Sequence, residues 1–510
     1  MIEGWMVFLL CAGMAAAQSS GRFTATGSMI TPRFFHAATL LPDGKVLIAG
    51  GGSATVELYD PFTGIFTATA ASTASKFIGS ATLLPDGRVL LIEAFRILSD
   101  AYDGTFRYTG GAELYDPRTG TVSATGDMIE GQRGYAANLP TNGKVLITGS
   151  GYYTESNCCS KAANPELYDP STQNFSLAGP YAETGARSEA GVAGLQFTPA
   201  TLLPDGTVLI ASEPAAEILD PATNTFRLTA SMTAEAYDIG PFGTKPDHLP
   251  GRTATLLLNG KVLLTGGEPG YGDFDTSYYT LNSAELYDFL SGTFTPTGDM
   301  SFARFSHAAT LLTDGTVLIT GGIGNPYGGT PVAELYNPET GAFSVAGNME
   351  SARVFHQATL LSDGRVLITG AVLWPGGVSP GGEALASAEI YTPPVRIPAP
   401  ALFSFSGDGQ GQGAIWHAAT GQVASADNPA SAGEALSMYT NNLLDGGVVP
   451  PQVAVGGRLA DILFFGPAPG YSGYYQLNFK VPEGILSASD VSVRLIYLGR
   501  SSNEVTIGVR

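Results

Sequence analysis

Apolar runs flank an Asp-Gly or Asn-Gly pair at seven places in the chain, as in the phrase TLLPDGKVLI. Such pairs are typical of tight β-hairpins, because both central positions of a type I′ turn require positive φ. We therefore predict seven hairpins, and we name their strands A and B. The run after the first turn, Val46 to Ala49, lacks polar alternation, as in a strand buried on both faces. The seven pairs begin at Asp43, Asp86, Asn142, Asp205, Asn259, Asp314 and Asp363.

A second phrase, ELYDP or a variant of it, follows every hairpin. In six of the seven copies it continues into a turn and an alternating strand, as in TGIFTAT. These segments predict two further antiparallel strands, C and D. The chain therefore contains seven units of four strands, whose turns are spaced by 43 to 63 residues. The phrases carry Glu57, Glu113, Glu166, Glu217, Glu285, Glu334 and Glu389.

Units of about 40 to 50 residues with four strands are typical of propeller blades. Glycine doublets after strand B, at Gly50-Gly51, Gly266-Gly267 and Gly321-Gly322, and the Tyr-Asp-Pro turns add detail to this pattern. On these motifs, residues 21–393 resemble the kelch-repeat β-propellers, the group that includes galactose oxidase. The resemblance implies an all-β fold, a seven-bladed kelch-type β-propeller.

The seventh unit lacks a strand D, because after Thr392 the chain continues as PPVRIPAP, which cannot form one. The segment GRFTATGSM from Gly21 matches GTFTPTGDM from Gly292, the strand D of unit five. We therefore expect the N-terminal segment to supply the outer strand of blade seven and to close the ring.

After a linker at 394–400 the repeats stop. In residues 401–510, YYQLNFKVP and EVTIGVR alternate in polarity, which predicts an antiparallel β-sandwich. The phrases GDGQGQGAI and SNEVTI resemble an Ig-like module found in exported bacterial proteins. A spacer, an attachment or a carbohydrate-contacting role is open for this domain.

The first 17 residues have the pattern of a signal peptide, an apolar run that ends in Ala15-Ala16-Ala17. We expect a secreted protein, or one in the periplasm or at the cell surface. The net charge of −20 makes nucleic acid and anionic membrane surfaces poor partners. We predict no membrane span in the mature chain, because no other apolar run approaches about 18 residues, and we expect a monomer.

In a four-stranded meander the A–B and C–D turns emerge on one face of the ring, and the B–C and D–A loops on the other. Here the first set is uniformly short and the second varies in length, so function is expected on the second, the loop face. Its tyrosines could stack on sugar rings while its carboxylates accept hydroxyl protons; the alternative is a set of self-packed loops. The candidate binding residues are Tyr152, Tyr153, Tyr237, Asp238, Tyr271, Asp273, Asp275, Tyr278 and Tyr279.

The start of strand A carries an Arg/His pair, Arg-x-x-His, in blades one, six and seven only. These three blades are neighbours once the ring closes. The pair could form a cationic arc at the mouth of the loop face, or it could join blades through hydrogen bonds. Repetition favours the structural role, and the seven ELYDP glutamates are expected to be partly buried structural carboxylates. The pairs are Arg33 with His36, Arg304 with His307, and Arg353 with His356.

The resemblance to galactose oxidase raises copper-radical oxidation, whose site in that family needs two histidines, two tyrosines and a cysteine joined to one of them. Three of the five histidines are repeat positions, and His248 and His417 stand alone. We therefore predict no copper site and no cofactor. Asp273 and Asp275 form a D-x-D pattern without the rest of a calcium-binding loop, which is too common to predict a calcium site. Cys158 and Cys159 could form a vicinal disulfide, or they could be free thiols or bond to another chain.

The sequence favours an exported binding or scaffold protein, not an enzyme, that uses the loop face to bind extracellular glycan or protein. A glycan-active enzyme on the same face, a lyase, hydrolase or isomerase, is the alternative. A copper-radical oxidase is the remote alternative.

Overall fold

The computed structural model describes most of the chain, and every regular element in the described residues is a β-strand. No described segment forms a helix that could cross a membrane. The described residues are 21–72, 77–93, 96–99, 106–129, 133–140, 142–150, 153–154, 157–160, 164–182, 199–211, 215–232, 251–267, 280–324, 328–372, 383–444 and 449–510.

Seven four-stranded antiparallel sheets form the blades of a propeller, each with its strands in the order A-B-C-D. Three shorter hairpins lie in the B–C loops of blades two, three and six: Arg96–Ser99 with Phe106–Thr109, Tyr153–Thr154 with Asn157–Ser160, and Ile323–Gly324 with Gly328–Gly329. Strands A to D are His36–Leu40, Val46–Gly50, Thr55–Asp60 and Ile65–Ala71 in blade one; Ile78–Leu83, Val89–Glu93, Ala112–Asp116 and Thr121–Ala124 in blade two; Arg133–Asn138, Val145–Ser150, Glu166–Asp169 and Asn174–Leu177 in blade three; Ala200–Leu202, Val208–Ile210, Ala215–Asp220 and Thr225–Ser231 in blade four; Thr253–Leu256, Val262–Thr265, Ala284–Asp288 and Thr293–Pro296 in blade five; Ala308–Leu311, Val317–Thr320, Val332–Asn337 and Ala342–Asn348 in blade six; and Gln357–Leu360, Val366–Thr369, Ala388–Thr392 and Arg22–Ala25 in blade seven.

The ring closes as predicted. The N-terminal strand Arg22–Ala25 pairs antiparallel with Ala388–Thr392 and completes blade seven. The A strands of successive blades contact one another around the centre, and strand A of blade seven contacts strand A of blade one. The first and last segments of the propeller are therefore held in one sheet.

The A–B hairpins form, but their turns are not the type I′ turns that the Asp-Gly pairs predict. Gly44 alone of its pair has positive φ, 86°, and its N–H donates to the Leu41 carbonyl at 3.0 Å. The Leu41 N–H donates in turn to the Lys45 carbonyl, at 2.8 Å. This is a type I turn followed by a glycine bulge. Asp43 keeps negative φ, and its carboxylate accepts the Lys45 N–H at 3.1 Å.

Neighbouring blades are joined by the tyrosines of the ELYDP phrases, whose rings are buried between blades. In five blades the tyrosine hydroxyl meets a threonine hydroxyl that lies in strand D of the preceding blade or directly after it. This hydrogen bond satisfies a polar group that would otherwise be buried at a cost. The pairs are Thr26–Tyr59 at 2.8 Å, Thr69–Tyr115 at 3.1 Å, Thr125–Tyr168 at 2.9 Å, Thr229–Tyr287 at 2.9 Å and Thr297–Tyr336 at 2.9 Å.

A two-sheet β-sandwich follows the propeller and packs on its A–B turns. The amide of Gln452 donates to the Leu139 carbonyl at 3.3 Å, and in the preceding segment the N–H of Ile397 donates to Thr313 Oγ1 at 3.0 Å. The sandwich core lies between the sheets. One sheet contains Ile415–His417, Ala435–Asn441, Tyr474–Lys480 and Ile462–Pro467; the other contains Arg458–Ala460, Gln452–Val455, Ala488–Tyr497, Arg500–Ser501 and Val505–Val509.

Candidate functional site

The arginines of the repeated Arg/His pairs are fully buried and neutralised by the glutamates of their own blades. Arg33 Nη2 lies 2.8 Å from Glu57 Oε1, and Nη1 of the same guanidinium donates to the Gly50 carbonyl. The same ion pairs join Arg304 to Glu334 at 2.7 Å and Arg353 to Glu389 at 2.8 Å. These arginines hold strands B and C to the chain that enters the blade, so they do not form a cationic arc at the mouth.

The histidines join blades. His36 Nε2 lies 2.8 Å from Thr369 Oγ1, a residue of strand B in blade seven. His307 makes the same contact with Thr265, and His356 with Thr320, both at 2.8 Å. Burial, together with nearby arginines, lowers the pKa of His36 and of His356 to about 3 and that of His307 well below its usual value. The three rings are therefore neutral at physiological pH, and the structural interpretation of the repeat is confirmed.

The seven glutamates are also structural, and each is almost fully buried. Five of the carboxylates, those of Glu57, Glu166, Glu217, Glu334 and Glu389, accept backbone N–H groups from the segment that enters their blade, and Glu113 accepts the Ser72 hydroxyl. Glu57 accepts from Ile30 at 2.8 Å and Thr31 at 3.1 Å, and Glu334 accepts from Ser301 at 2.7 Å. These hydrogen bonds fix the end of the D–A connection against strand C. They also satisfy the buried carboxylates, which would otherwise lack partners.

A cavity of about 1030 Å³ lies at the hub, between the A strands and the sandwich. Ala200, Ala254 and Ala309 line it from the propeller, and Phe464 and Phe465 line it from the sandwich. The sandwich thus covers the hub on the side of the A–B turns. The loop face is the side of the propeller away from these contacts.

The described residues hold no group of three or more His, Cys, Asp or Glu side chains placed to bind a metal. His417 lies in the sandwich and is occupied by structural contacts. Its Nδ1 is 2.5 Å from Glu434 Oε1, and its Nε2 is 3.0 Å from the Asn428 carbonyl. His248 lies outside the described residues.

Of the candidate binding residues, Tyr153 alone lies in the described ranges. Tyr153, Cys158 and Cys159 are on the short hairpin of blade three, where Tyr153 pairs with Ser160 and where both cysteines share one strand. Whether the cysteines form a disulfide stays open. The other candidates, all outside the described residues, are Tyr152, Tyr237, Asp238, Tyr271, Asp273, Asp275, Tyr278 and Tyr279.

Sequence reasoning did not find the partners of the histidines. A signal was present, because strand B ends in threonine in each blade that precedes a histidine-bearing blade, as in VLIT before Gly321. Thr265, Thr320 and Thr369 are these partners, and each belongs to the unit before the histidine it binds.

Comparison with known proteins supports the fold. No family model matches the chain, and no curated protein sequence matches it. A solved structure described as a "Novel fungal alcohol oxidase with catalytic diversity among the AA5 family, in complex with copper" is similar over 96% of this chain and 99% of its own, at 13% identity with a TM-score of 0.57. The structure of YjhT aligns with 62% of this chain and 98% of its own, at 15% identity with a TM-score of 0.44.

The seven sheets and the match over nearly the whole chain define an all-β propeller protein. Its fold is galactose-oxidase-like, with the sandwich placed after the propeller. At 13% identity this likeness concerns the fold alone.

Proposed function

We propose that the protein is exported and uses the loop face of its propeller to bind an extracellular glycan or protein. The difference between the two faces of the ring supports this most. The A–B side has short turns and is covered by the sandwich, whereas the loop face has the long connections and the added hairpins of blades two, three and six. Binding residues concentrate on variable loops held by a rigid scaffold.

A glycan is the preferred ligand because of the loop composition. Segments 94–111, 149–164, 177–195, 229–251 and 267–283 are B–C and D–A connections, and together they contain many tyrosines and several aspartates. A tyrosine ring packs on the apolar side of a pyranose, and a carboxylate accepts its hydroxyl protons. Export of a monomer to the cell exterior, after removal of residues 1–17, is part of the same proposal.

A glycan-active enzyme on this face is the second candidate, because Asp238, Asp273 and Asp275 would supply carboxylates for acid/base chemistry. A copper-radical oxidase fits less well. Of the five histidines, three are buried in contacts between blades and His417 is held by Glu434, which leaves His248 alone for a site that needs two.

A glycan array probed with the full mature chain, together with metal analysis, tests the proposal. We expect binding of one glycan class, lost in the double variant Tyr278→Ala/Tyr279→Ala. Phe62→Ala, which truncates a residue that is 97% exposed in a turn on the other face, is the matched control and should bind normally. Release of reducing ends from a polysaccharide would establish the enzyme instead, and stoichiometric copper would establish the oxidase.

A further inference from the structure

The first sheet of the sandwich has one face in the core and one face outside it. Along Ala435–Asn441 the residues alternate between buried and half-buried, and Tyr474–Lys480 alternates in the same way. The inward positions carry Leu436, Met438, Tyr475, Leu477 and Phe479. The outward positions of these two strands and of Ile415–His417 carry Trp416, Ala435, Ser437, Tyr439, Asn441, Tyr474, Gln476, Asn478 and Lys480.

Five aromatic side chains lie on or beside the outward face, and we call them the aromatic row: Phe403, Phe405, Trp416, Tyr439 and Tyr474. The Phe405 and Trp416 rings are 6.3 Å apart and inclined by 68°, and the Trp416 and Tyr439 rings are 5.8 Å apart and inclined by 71°. At one end of the face Phe403 contacts Tyr474 at 5.7 Å. Phe405 is 56% exposed and Tyr474 is 43% exposed. Large apolar side chains left exposed together mark an interaction surface.

Amide and hydroxyl side chains alternate with these rings. Tyr439 stands opposite Gln476, and Tyr474 stands opposite Asn441 on the neighbouring strand. The Gln476 amide donates to Asn478 Oδ1 at 3.0 Å. An amide offers two donors and an acceptor, which together match the hydroxyls of a sugar. A continuous apolar surface, as in the core of a subunit interface, would not place amides between its rings.

The face is nearly uncharged, although the chain carries a net charge of −20. Among the outward positions, Lys480 at the end of its strand is the charged residue, and Asp408 lies in the turn after Phe405. A neutral surface offers no partner to the uronates, sulfates or phosphates of a charged polymer. Its complement is a neutral ligand with both apolar and hydroxyl groups.

We propose that the aromatic row binds a single chain of neutral polysaccharide. Stacking of sugar rings on the exposed aromatic faces supplies the apolar contact, and the amides bind hydroxyls. Neighbouring rings are inclined by about 70°, so the surface is ridged, not flat. A ridged surface accommodates one flexible chain better than the plane of a crystalline polymer. This site is separate from the loop face and does not depend on the proposal made for it.

Native electrophoresis of the full chain in gels that contain hydroxyethylcellulose, galactomannan or polygalacturonate tests this site. We expect at least one of the two neutral polymers to retard the protein and polygalacturonate to leave it unretarded. Trp416→Ala and Phe405→Ala should each weaken binding about tenfold, which is about 1.4 kcal/mol, while Phe62→Ala should bind as the natural chain does. Phe405→Ala removes an exposed ring, so this variant separates loss of binding from loss of folding.

The loop variant Tyr278→Ala/Tyr279→Ala distinguishes the two proposed sites in the same gels. If the loop variant is still retarded whereas Trp416→Ala and Phe405→Ala are not, the result supports the aromatic row. Retardation lost in the loop variant alone overturns the aromatic row and leaves the loop face standing. If neither neutral polymer retards the protein, the aromatic row is also overturned. A dimer seen in sedimentation that Phe405→Ala dissociates would overturn it too, since the row would then bind a second copy.

Discussion

Blades one, six and seven differ from blades two to five in how they are joined, although all seven have the same four strands. In the first group a buried Arg–Glu ion pair fixes each blade and a histidine reaches the preceding blade. Blade five lacks the Arg/His pair, and Arg252, at the position of the histidine, approaches Glu285 with its guanidinium at 3.9 Å. Charged groups that repeat in a propeller can therefore be part of its framework, and blades two to five are the place to look for a ligand.

Removal of the closing strand should have the largest effect. Deletion of residues 1–27 leaves blade seven with three strands and exposes the edge of Ala388–Thr392. We expect aggregation, or a melting temperature lower by more than about 10 °C, measured by calorimetry. Deletion of residues 1–20 is the matched control and should melt as the mature chain does. Equal melting of the two truncated chains would contradict ring closure by this strand.

The second largest effect should come from breaking one of the buried Arg–Glu ion pairs of blades one, six and seven. Arg353→Leu leaves Glu389 buried without its cation, which should cost about 3–5 kcal/mol in the free energy of unfolding. Arg118→Leu removes an exposed arginine in a turn of blade two and should change stability by less than about 0.5 kcal/mol. Similar urea midpoints for both variants would show that the pair does not stabilise the blade.

The burial of the histidines between blades leads to a prediction of how stability depends on pH. Because the pKa of His36 and of His356 is about 3 in the folded chain and near 6.5 when unfolded, the unfolded chain binds more protons between these values. Stability is therefore complete above pH 6.5 and falls as the pH is lowered toward 3, by on the order of 1 kcal/mol per pH unit for each histidine. His36→Gln should reduce this slope in urea titrations at several pH values. An unchanged slope would argue against a neutral, buried ring.

Removing a tyrosine hydroxyl between two blades should have a smaller effect on stability, and the tyrosine of blade seven provides an internal control. Tyr336→Phe removes the hydrogen bond to Thr297 and should cost about 1 kcal/mol. In blade seven, Ala346 takes the place of that threonine and packs in one cluster with Tyr391, whose pKa burial raises to about 12. Tyr391→Phe should therefore cost less than Tyr336→Phe in thermal unfolding. Equal costs would mean that the hydroxyl contact contributes nothing.

The repeated phrases were enough to predict the blades and the closing strand, because each depends on local turn chemistry and on matching segments within one chain. The turn type was wrong because Pro42 and Asp43 adopt a type I turn, so that Gly44 alone needs positive φ. The threonine partners were missed because each hydrogen bond joins two different units. The candidate ligand residues lie in long insertions without repeats, so neither the phrases nor the blade geometry fixes their positions.

The central claim is that the loop face binds while the repeated charged positions support the ring. The most direct test measures the dissociation constant for a glycan found on the array, in Tyr278→Ala/Tyr279→Ala and in His36→Gln, at a temperature where both are folded. We predict that the loop variant loses binding and keeps its melting temperature, whereas His36→Gln keeps its affinity and melts earlier. Lost affinity in His36→Gln, with binding intact in the loop variant, would contradict the account.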